Sequence, residues 1–343
     1  MKRSLLILYL LLSMTQLEAA QDHLVAIQYH HFSDETPPST SVTKKQFRQH
    51  IEFLKAGNYP IVDFEKSLKD IQAGRSLPDK AVAITIDDAY ASVYDQAFPI
   101  FRQLQWPFII FVATESIDQG HRAFVSWDQL REMVKHGASV GLHSHTHPYL
   151  VREKSEQSYQ KWKKWVKEEI TVSQQRIRQA LGIEARLFAY PYGEYDPDIE
   201  EIIDELGLIG VGQHSGVIWS GSDFQALPRF PVSGSYAEMG AFAIKLNALP
   251  LPIIAIEPEN PVVSRSDRRP ELRLTVSPGP YEPSRFRCYA SGQGQIDSRW
   301  IDHTVVVSPK QDLPLGRSKY NCTVPKTGTS RYYWYSRQWL RLQ

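Results

Sequence analysis

The chain has 343 residues, 42% of them hydrophobic and 22% charged. At roughly 100–200 residues per domain, that length suggests two domains, or a large one with a small companion. The net charge of +1 gives no electrostatic reason to expect nucleic acid or an anionic membrane as a partner.

The first twenty residues, MKRSLLILYLLLSMTQLEAA, carry Lys2 and Arg3, an apolar run from Leu5 to Leu12, and the small pair Ala19 and Ala20. This is the three-part layout of a secretory signal, although Glu18 sits where a small residue is preferred. The apolar run is shorter than the roughly 20 residues that span a bilayer, so no transmembrane segment is expected in the mature chain. Residues 1–20 are therefore read as a signal peptide and the protein as exported, periplasmic or secreted. Export makes disulfides possible.

From about residue 23 to 245, strand-like runs alternate with helical patterns. The strand candidates are 24–30, 81–87, 107–113, 139–143, 186–191, 208–212 and 226–232. They are short, rich in Val, Ile and Phe, and apolar at consecutive positions, as strands buried on both faces are. Helical stretches fall at 44–57, 126–137 and 155–182. In the last, Tyr159, Trp162, Val166, Ile170, Ser173, Ile177 and Leu181 form one stripe that would lie on a sheet. Alternating strands and helices imply parallel strands covered by helices, and hence an α/β fold built as a distorted (β/α) barrel over residues 22–248. Chemistry in such folds sits at the C-terminal ends of the strands.

After residue 248 the texture changes. LPLPIIAIEPENPVV is proline-rich and reads as a linker. Short strand-like runs separated by Gly, Pro, Ser and Asp then read as a small β-sandwich over 256–343. Cys288, then Trp300, then Tyr320 and Cys322 resemble an immunoglobulin-like domain. That resemblance implies a bridge between the two cysteines across the sheets, with the Trp packed on it. A loop of this length would contribute about 3–4 kcal/mol. The dense aromatics Tyr332, Tyr333, Trp334, Tyr335 and Trp339 are read as packing rather than as sugar-stacking surfaces.

Three strand ends carry chemistry. In TIDDAY, Asp87 and Asp88 follow an apolar strand. Adjacent residues point in different directions, so one carboxylate can hold a metal while the other takes a proton. The same pair would also serve as a helix cap with an acidic first turn. In GLHSHTHP, His143, His145 and His147 occupy alternate positions. His143 and His147 would share a face on a helical turn, and His143 and His145 on an extended segment. Two imidazoles and a carboxylate suit Zn²⁺ and leave a coordination position open. In FAYPYGEYD, Pro191 and Gly193 allow a turn that aims a backbone N–H into a cleft.

Taken in order, TIDDAY, HSHTHP and YPYGEY resemble the NodB-type polysaccharide deacetylase family over roughly residues 22–245. The resemblance implies metal-dependent hydrolysis of N-acetyl or O-acetyl groups on a glycan such as poly-N-acetylglucosamine, chitin-like or peptidoglycan sugars. It assigns Asp87 as general base and Asp88, His143 and His147 as metal ligands. It makes Ser144 a support for the loop and His145 a spare. Zn²⁺ is the expected ion, with Co²⁺ or Ni²⁺ as substitutes. It would lower the pKa of a bound water towards about 7, making that water the nucleophile. The backbone N–H of Tyr192 would meet the oxyanion. The family's third motif usually places an Arg where this chain has Ala189. Arg229 in ALPRFPV is the candidate replacement, because it sits within a late strand of the same barrel, whereas Arg186 precedes Ala189 on its strand. His214 is the candidate acid or substrate ligand, and His30 a substrate-site candidate. Acetylated polysaccharide or oligosaccharide is the expected partner. A non-catalytic glycan-binding scaffold that keeps this fold, or an O-acetyl esterase, would use the same residues.

Overall fold

The computed structural model describes residues 22–342, so the leader read over 1–20 lies outside the described residues. The first body holds ten short strands: β1 (His23–Tyr29), β2 (His31–Phe32), β3 (Ser41–Val42), β4 (Val82–Ile86), β5 (Phe108–Val112), β6 (Ala138–Leu142), β7 (Leu187–Ala189), β8 (Ile209–Val211), β9 (Ile218–Trp219) and β10 (Phe230–Pro231). Eight helices separate or follow them: α1 (Lys44–Ala56), α2 (Phe64–Gln72), α3 (Phe98–Leu104), α4 (Thr114–Asp118), α5 (Trp127–Lys135), α6 (Tyr159–Leu181), α7 (Pro197–Glu205) and α8 (Met239–Leu246). The parallel order is β10-β1-β4-β5-β6-β7-β8, and β9 lies antiparallel on β1. Each of the seven expected strands is present, β1 and β6 at full length but shifted by one residue and the other five shortened. Helices α2, α3, α7 and α8 were not anticipated, since each spans only 7–9 residues and offers barely two turns of periodicity.

The parallel sheet curls until its edges meet. Leu227 pairs with Val211 of β8, and Phe230 and Pro231 then pair with Ile27 and Gln28 of β1. The segment from 227 to 231 therefore closes the ring. Side chains alternate across the strands, as the pleat requires. Val82, Ile84, Ile110, Val112 and Phe188 face the helices and share one core with Trp162, Val166, Ile170 and Ile177 of α6. Leu24, Ala26, Ala83, Ile109, Phe111, Leu187, Ala189, Val211 and Leu227 form a second core inside the ring, joined by Phe64, Leu68 and Ile71 of α2. Gly141 is small for a reason: a Cβ there would lie 2.5 Å from the Phe111 ring, which occupies that space.

The second body is all β: β11 (Leu249–Pro250), β12 (Ile253–Glu257), β13 (Leu272–Val276), β14 (Arg287–Ala290), β15 (Gly294–Ile301), β16 (Thr304–Ser308), β17 (Gly316–Pro325) and β18 (Tyr332–Arg341). The order is β11-β18-β17-β14-β15-β16-β13-β12. The first half of β15 pairs with β14 and its second half with β16, so this strand links the two halves of the sheet. The stretch read as a linker supplies β11 and β12. Cys288 and Cys322 are bonded. They sit opposite each other on the directly paired strands β14 and β17, rather than spanning two sheets as the immunoglobulin-like pattern implies. Trp300 packs on Phe286 at 5.7 Å, and its Nε1 donates to Pro283 O. Tyr320 is buried beside Trp339 and donates to Pro270 O at 3.0 Å.

The two bodies dock through β18. Trp334 meets Phe230 edge-on at 5.1 Å, Gln338 Nε2 donates to Tyr195 O at 3.3 Å, and Arg331 Nε donates to Asn247 O at 3.0 Å. The aromatic band thus serves packing at Trp334 and Trp339, while Tyr332 keeps a large exposed face. Replacing both cysteines with Ala frees a loop of 34 residues. Equilibrium urea denaturation should then show a loss of about 3–4 kcal/mol in the second body.

Candidate active site

Following one interior column of each strand upward shows how the site arises. Below it are Ala26, Ala83, Phe111, Ala189 and Leu227, all apolar. At the C-terminal ends the same columns become Gln28, Thr85, Asp87, His143, Gln213 and Arg229, all buried. The pleat delivers these polar groups to one place because each lies an even number of residues above an inward-facing position, apolar in each case except His143, which stands over Gly141.

Asp87 is fully buried and held from several sides. Arg229 grips it in a fork, Nη1 to Oδ1 at 2.6 Å and Nη2 to Oδ2 at 2.9 Å. Gln28 Nε2 donates to Oδ2 at 2.5 Å, Gln213 Nε2 lies 3.4 Å away, and His30 Nε2 lies 3.8 Å away. Burial pushes this carboxyl up, but the positive charge of Arg229, followed by those of His143 and His30, outweighs it and leaves the pKa at about 2. Arg229 is itself fully buried and satisfied. Its Nε donates to Gly212 O at 2.9 Å, Nη1 donates to Thr85 Oγ1 at 3.1 Å, and its face lies 5.1 Å from the Phe111 ring. Arg186, by contrast, is exposed before β7. The position expected for Arg at Ala189 offers a carbonyl instead.

That carbonyl orients His143. Ala189 O accepts from Nδ1 at 2.7 Å, which fixes the proton there and frees Nε2 as a ligand atom. His143 Nε2 lies 3.3 Å from Asp88 Oδ1 and 3.2 Å from His147 Nε2, and His147 Nε2 lies 3.4 Å from Asp88 Oδ1. A tetrahedral ion with ligands at about 2.0–2.1 Å has ligand–ligand edges of about 3.3–3.4 Å. The three atoms form such a triangle; without an ion, the two facing imidazole nitrogens at 3.2 Å share one N–H as a hydrogen bond. This donor set fits a divalent metal with a fourth position open. Without a cation, burial followed by the charge of His143 pulls His147 down to about 4, and Asp88 is held well below the usual carboxylate range.

The loops carrying these groups are strained. Asp88, Ala89, Ser144, His147 and Tyr192 all take positive φ without being glycine. Such conformations cost of order 1–3 kcal/mol each and persist only where neighbours enforce them. The neighbours are visible at the histidine loop. Ser144 Oγ accepts from His147 N at 2.9 Å. Glu169 of α6, which sequence reasoning did not single out, accepts from His145 N, Thr146 N and Thr146 Oγ1. His145 turns away, with Nδ1 2.9 Å from Thr114 Oγ1. At the third motif, Gly193 N bonds Tyr190 O and Glu194 N bonds Pro191 O. The intervening Tyr192 N–H has no partner among the described residues. The Tyr192 ring stacks on Tyr149 at 3.7 Å.

A cleft of about 750 Å³ gathers Gln28, His30, Asp88, His147, Tyr192 and Gln213. His214 is not among its walls, contrary to expectation. It lines a separate cavity of about 560 Å³ between the two bodies, with Tyr195, Trp334 and Arg337. Burial, then the charge of Arg337, lowers it to about 3, so it stays neutral. The physical reason is parity: Gln213 and His214 are adjacent, so only one faces the cleft, and that one is Gln213.

Residues 74–211 match the family model "Polysaccharide deacetylase". A putative polysaccharide deacetylase, YxkH, of Bacillus subtilis (strain 168) is 25% identical over 213 residues, covering 61% of this chain and 71% of its own length. The poly-beta-1,6-N-acetyl-D-glucosamine N-deacetylase of Escherichia coli (strain K12) is 22% identical, covering 62% of this chain, which spans only 37% of that relative. The solved structure of IcaB from Ammonifex degensii superposes with a TM-score of 0.57 at 25% identity, covering 66% of this chain and 98% of that one. Residues 74–211 of the barrel thus resemble polysaccharide deacetylases in sequence, and the barrel has the fold of such a domain. Its class is that of hydrolases acting on carbon–nitrogen bonds other than peptide bonds.

Metal titration of the chelator-stripped protein should separate the histidines. His143→Ala and His147→Ala should abolish stoichiometric Zn²⁺ binding, whereas His145→Ala should keep most of it. Glu169→Ala should weaken binding about 10–100-fold, because it frees the loop that orients both ligands.

Proposed function

We propose that this protein is an exported, metal-dependent N-deacetylase of a polysaccharide built from N-acetylglucosamine. The observation that supports the reading is a buried, ionised carboxylate, Asp87, next in sequence to Asp88, which clusters with His143 and His147 and, with His147, lines an open cleft. A divalent ion held by Asp88, His143 and His147 would act as a Lewis acid on the acetyl carbonyl and would lower the pKa of a ligated water. Asp87 takes the proton of the attacking water, and Arg229 keeps it ionised and correctly turned. The Tyr192 N–H donates to the oxygen that becomes negative. The carboxylic acid formed at Asp87 then stands beside the departing nitrogen and returns the proton to it.

Sugar rings need flat apolar faces and polar edges. Tyr90, Tyr149, Tyr192 and Tyr236 supply the faces in this cleft, with His30 on its rim as a contact for substrate. The names of the relatives above support poly-N-acetylglucosamine as the polymer. The leader-like residues 1–20 support export, and no described helix is long and apolar enough to cross a membrane. The second body acts as an accessory module on the barrel.

Acetate release from N-acetylglucosamine oligomers should require Zn²⁺, Co²⁺ or Ni²⁺ and stop with a chelator. Asp87→Asn should still bind metal while kcat falls by about 10²–10⁴. Arg229→Met should cost about 3–5 kcal/mol of stability, because it strands a buried charge. Turnover that survives both the chelator and Asp87→Asn would sink the proposal.

A further inference from the structure

The cleft has a wall that the barrel does not build. Strand β17 alternates strictly: Ser318, Tyr320, Cys322 and Val324 point into the second body's core and are buried. Arg317 and Lys319, on the opposite face, line the deacetylase cleft with His30, Asp88, Tyr192 and Gln213. Arg317 reaches the third motif itself. A Cβ on Gly193 would collide with Arg317 Nη1 and with the Gln213 side chain, so this glycine gives the guanidinium its place beside Tyr192.

Neither cation is neutralised. Arg317 Nη1 is buried without a hydrogen-bond partner. Among the described residues, neither Arg317 nor Lys319 forms an ion pair. The nearby acids are engaged elsewhere: both oxygens of Glu194 are held by Arg152, at 2.9 and 2.5 Å, and Asp88 belongs to the metal triangle. Lys319 Nζ lies 5.9 Å over the Tyr236 ring. Two like charges withdrawn from water, with no counter-ion, repel each other and lose hydration. Burial, then Arg317, lowers Lys319 to about 7, and burial also lowers Arg317. An anion between them would relieve both penalties.

We propose that Arg317 and Lys319 form an anion subsite, supplied by the second body, that selects acetylated amino-sugar polymers carrying a negative substituent near the reacting unit. A guanidinium takes a carboxylate or phosphate in a two-point grip, and the ammonium adds a point charge. The same wall disfavours a neighbouring unit that already bears a free ammonium, which is the product of deacetylation. The inference rests on the deacetylase reading of the cleft, and a binding measurement keeps the two separable.

The full chain, loaded with Zn²⁺, is titrated by calorimetry with three probes of equal length. One is a neutral N-acetylglucosamine hexamer, the second alternates N-acetylglucosamine with glucuronic acid, and the third is the hexamer phosphorylated at 3-hydroxyls. Either acidic probe should bind at least about tenfold tighter than the neutral one, as charged hydrogen bonds allow, and the advantage should shrink at high salt. The probe that gains more identifies carboxylate or phosphate as the substituent. In Arg317→Gln with Lys319→Gln the acidic-to-neutral ratio should collapse towards one, while the charge-keeping Arg317→Lys should retain most of it. A wild-type ratio near one overturns the subsite, as does a ratio unmoved in Lys319→Gln alone and in the double variant. Acetate release is followed in parallel: loss of turnover on every probe sinks the deacetylase reading, while a retained binding ratio keeps the subsite.

Discussion

The forked ion pair between Asp87 and Arg229 is the constraint around which the barrel is arranged. Both groups are fully buried, and a charge so placed is costly unless it is paired and hydrogen-bonded. Here every nitrogen of the guanidinium has a partner, and both oxygens of Asp87 are engaged. Satisfying them requires Thr85 below, Gly212 O beside and Gln28 on the neighbouring strand β1. The last turn of the barrel is therefore specified by polar geometry, whereas the turns beneath it are specified by apolar volume. The metal triangle depends on the same pair at one remove, since Asp88 follows Asp87 and its positive φ is fixed by where Asp87 must point.

Much of this was legible in the residues. Consecutive apolar runs marked the seven strands, and the strand ends marked Asp87, Asp88, His143 and His147. Arg229 was legible because it sits within a late strand of the same barrel, while the family's usual Arg position holds Ala189. His214 misled because an isolated histidine in a polar loop attracts attention, while its neighbour Gln213 does not. A one-residue difference on a strand decides which of the two faces the ring. Gln28 was hidden inside an apolar run, and Glu169 inside a helical stripe of aromatic and aliphatic residues. Neither local periodicity nor composition states what a side chain meets sixty residues away.

Arg317 and Lys319 were harder still. Their strand reads as part of a self-contained sandwich, and its alternation is fully explained by that sandwich's core. The outward face of β17 looks like an ordinary solvated face until the docking of β18 on the barrel turns it towards the cleft. Gly193 is the residue on which the two readings meet: the turn wants its positive φ, and the guanidinium from the other body wants its missing side chain.

The closure of the ring has a further consequence. The three residues able to hold a metal follow β4 and β6, which flank β5 in one continuous hydrogen-bonded arc. Arg229 comes from the seam, 142 residues beyond Asp87 in the chain, where the ring is closed by an isolated bridge at Leu227 and two paired residues of β10. A local opening at that seam would cost few backbone bonds. It would release the partner of the base while leaving the ion's three ligands in place. Loss of the Arg229 contact and loss of the Asp88, His143 and His147 cluster are therefore separate events in this fold.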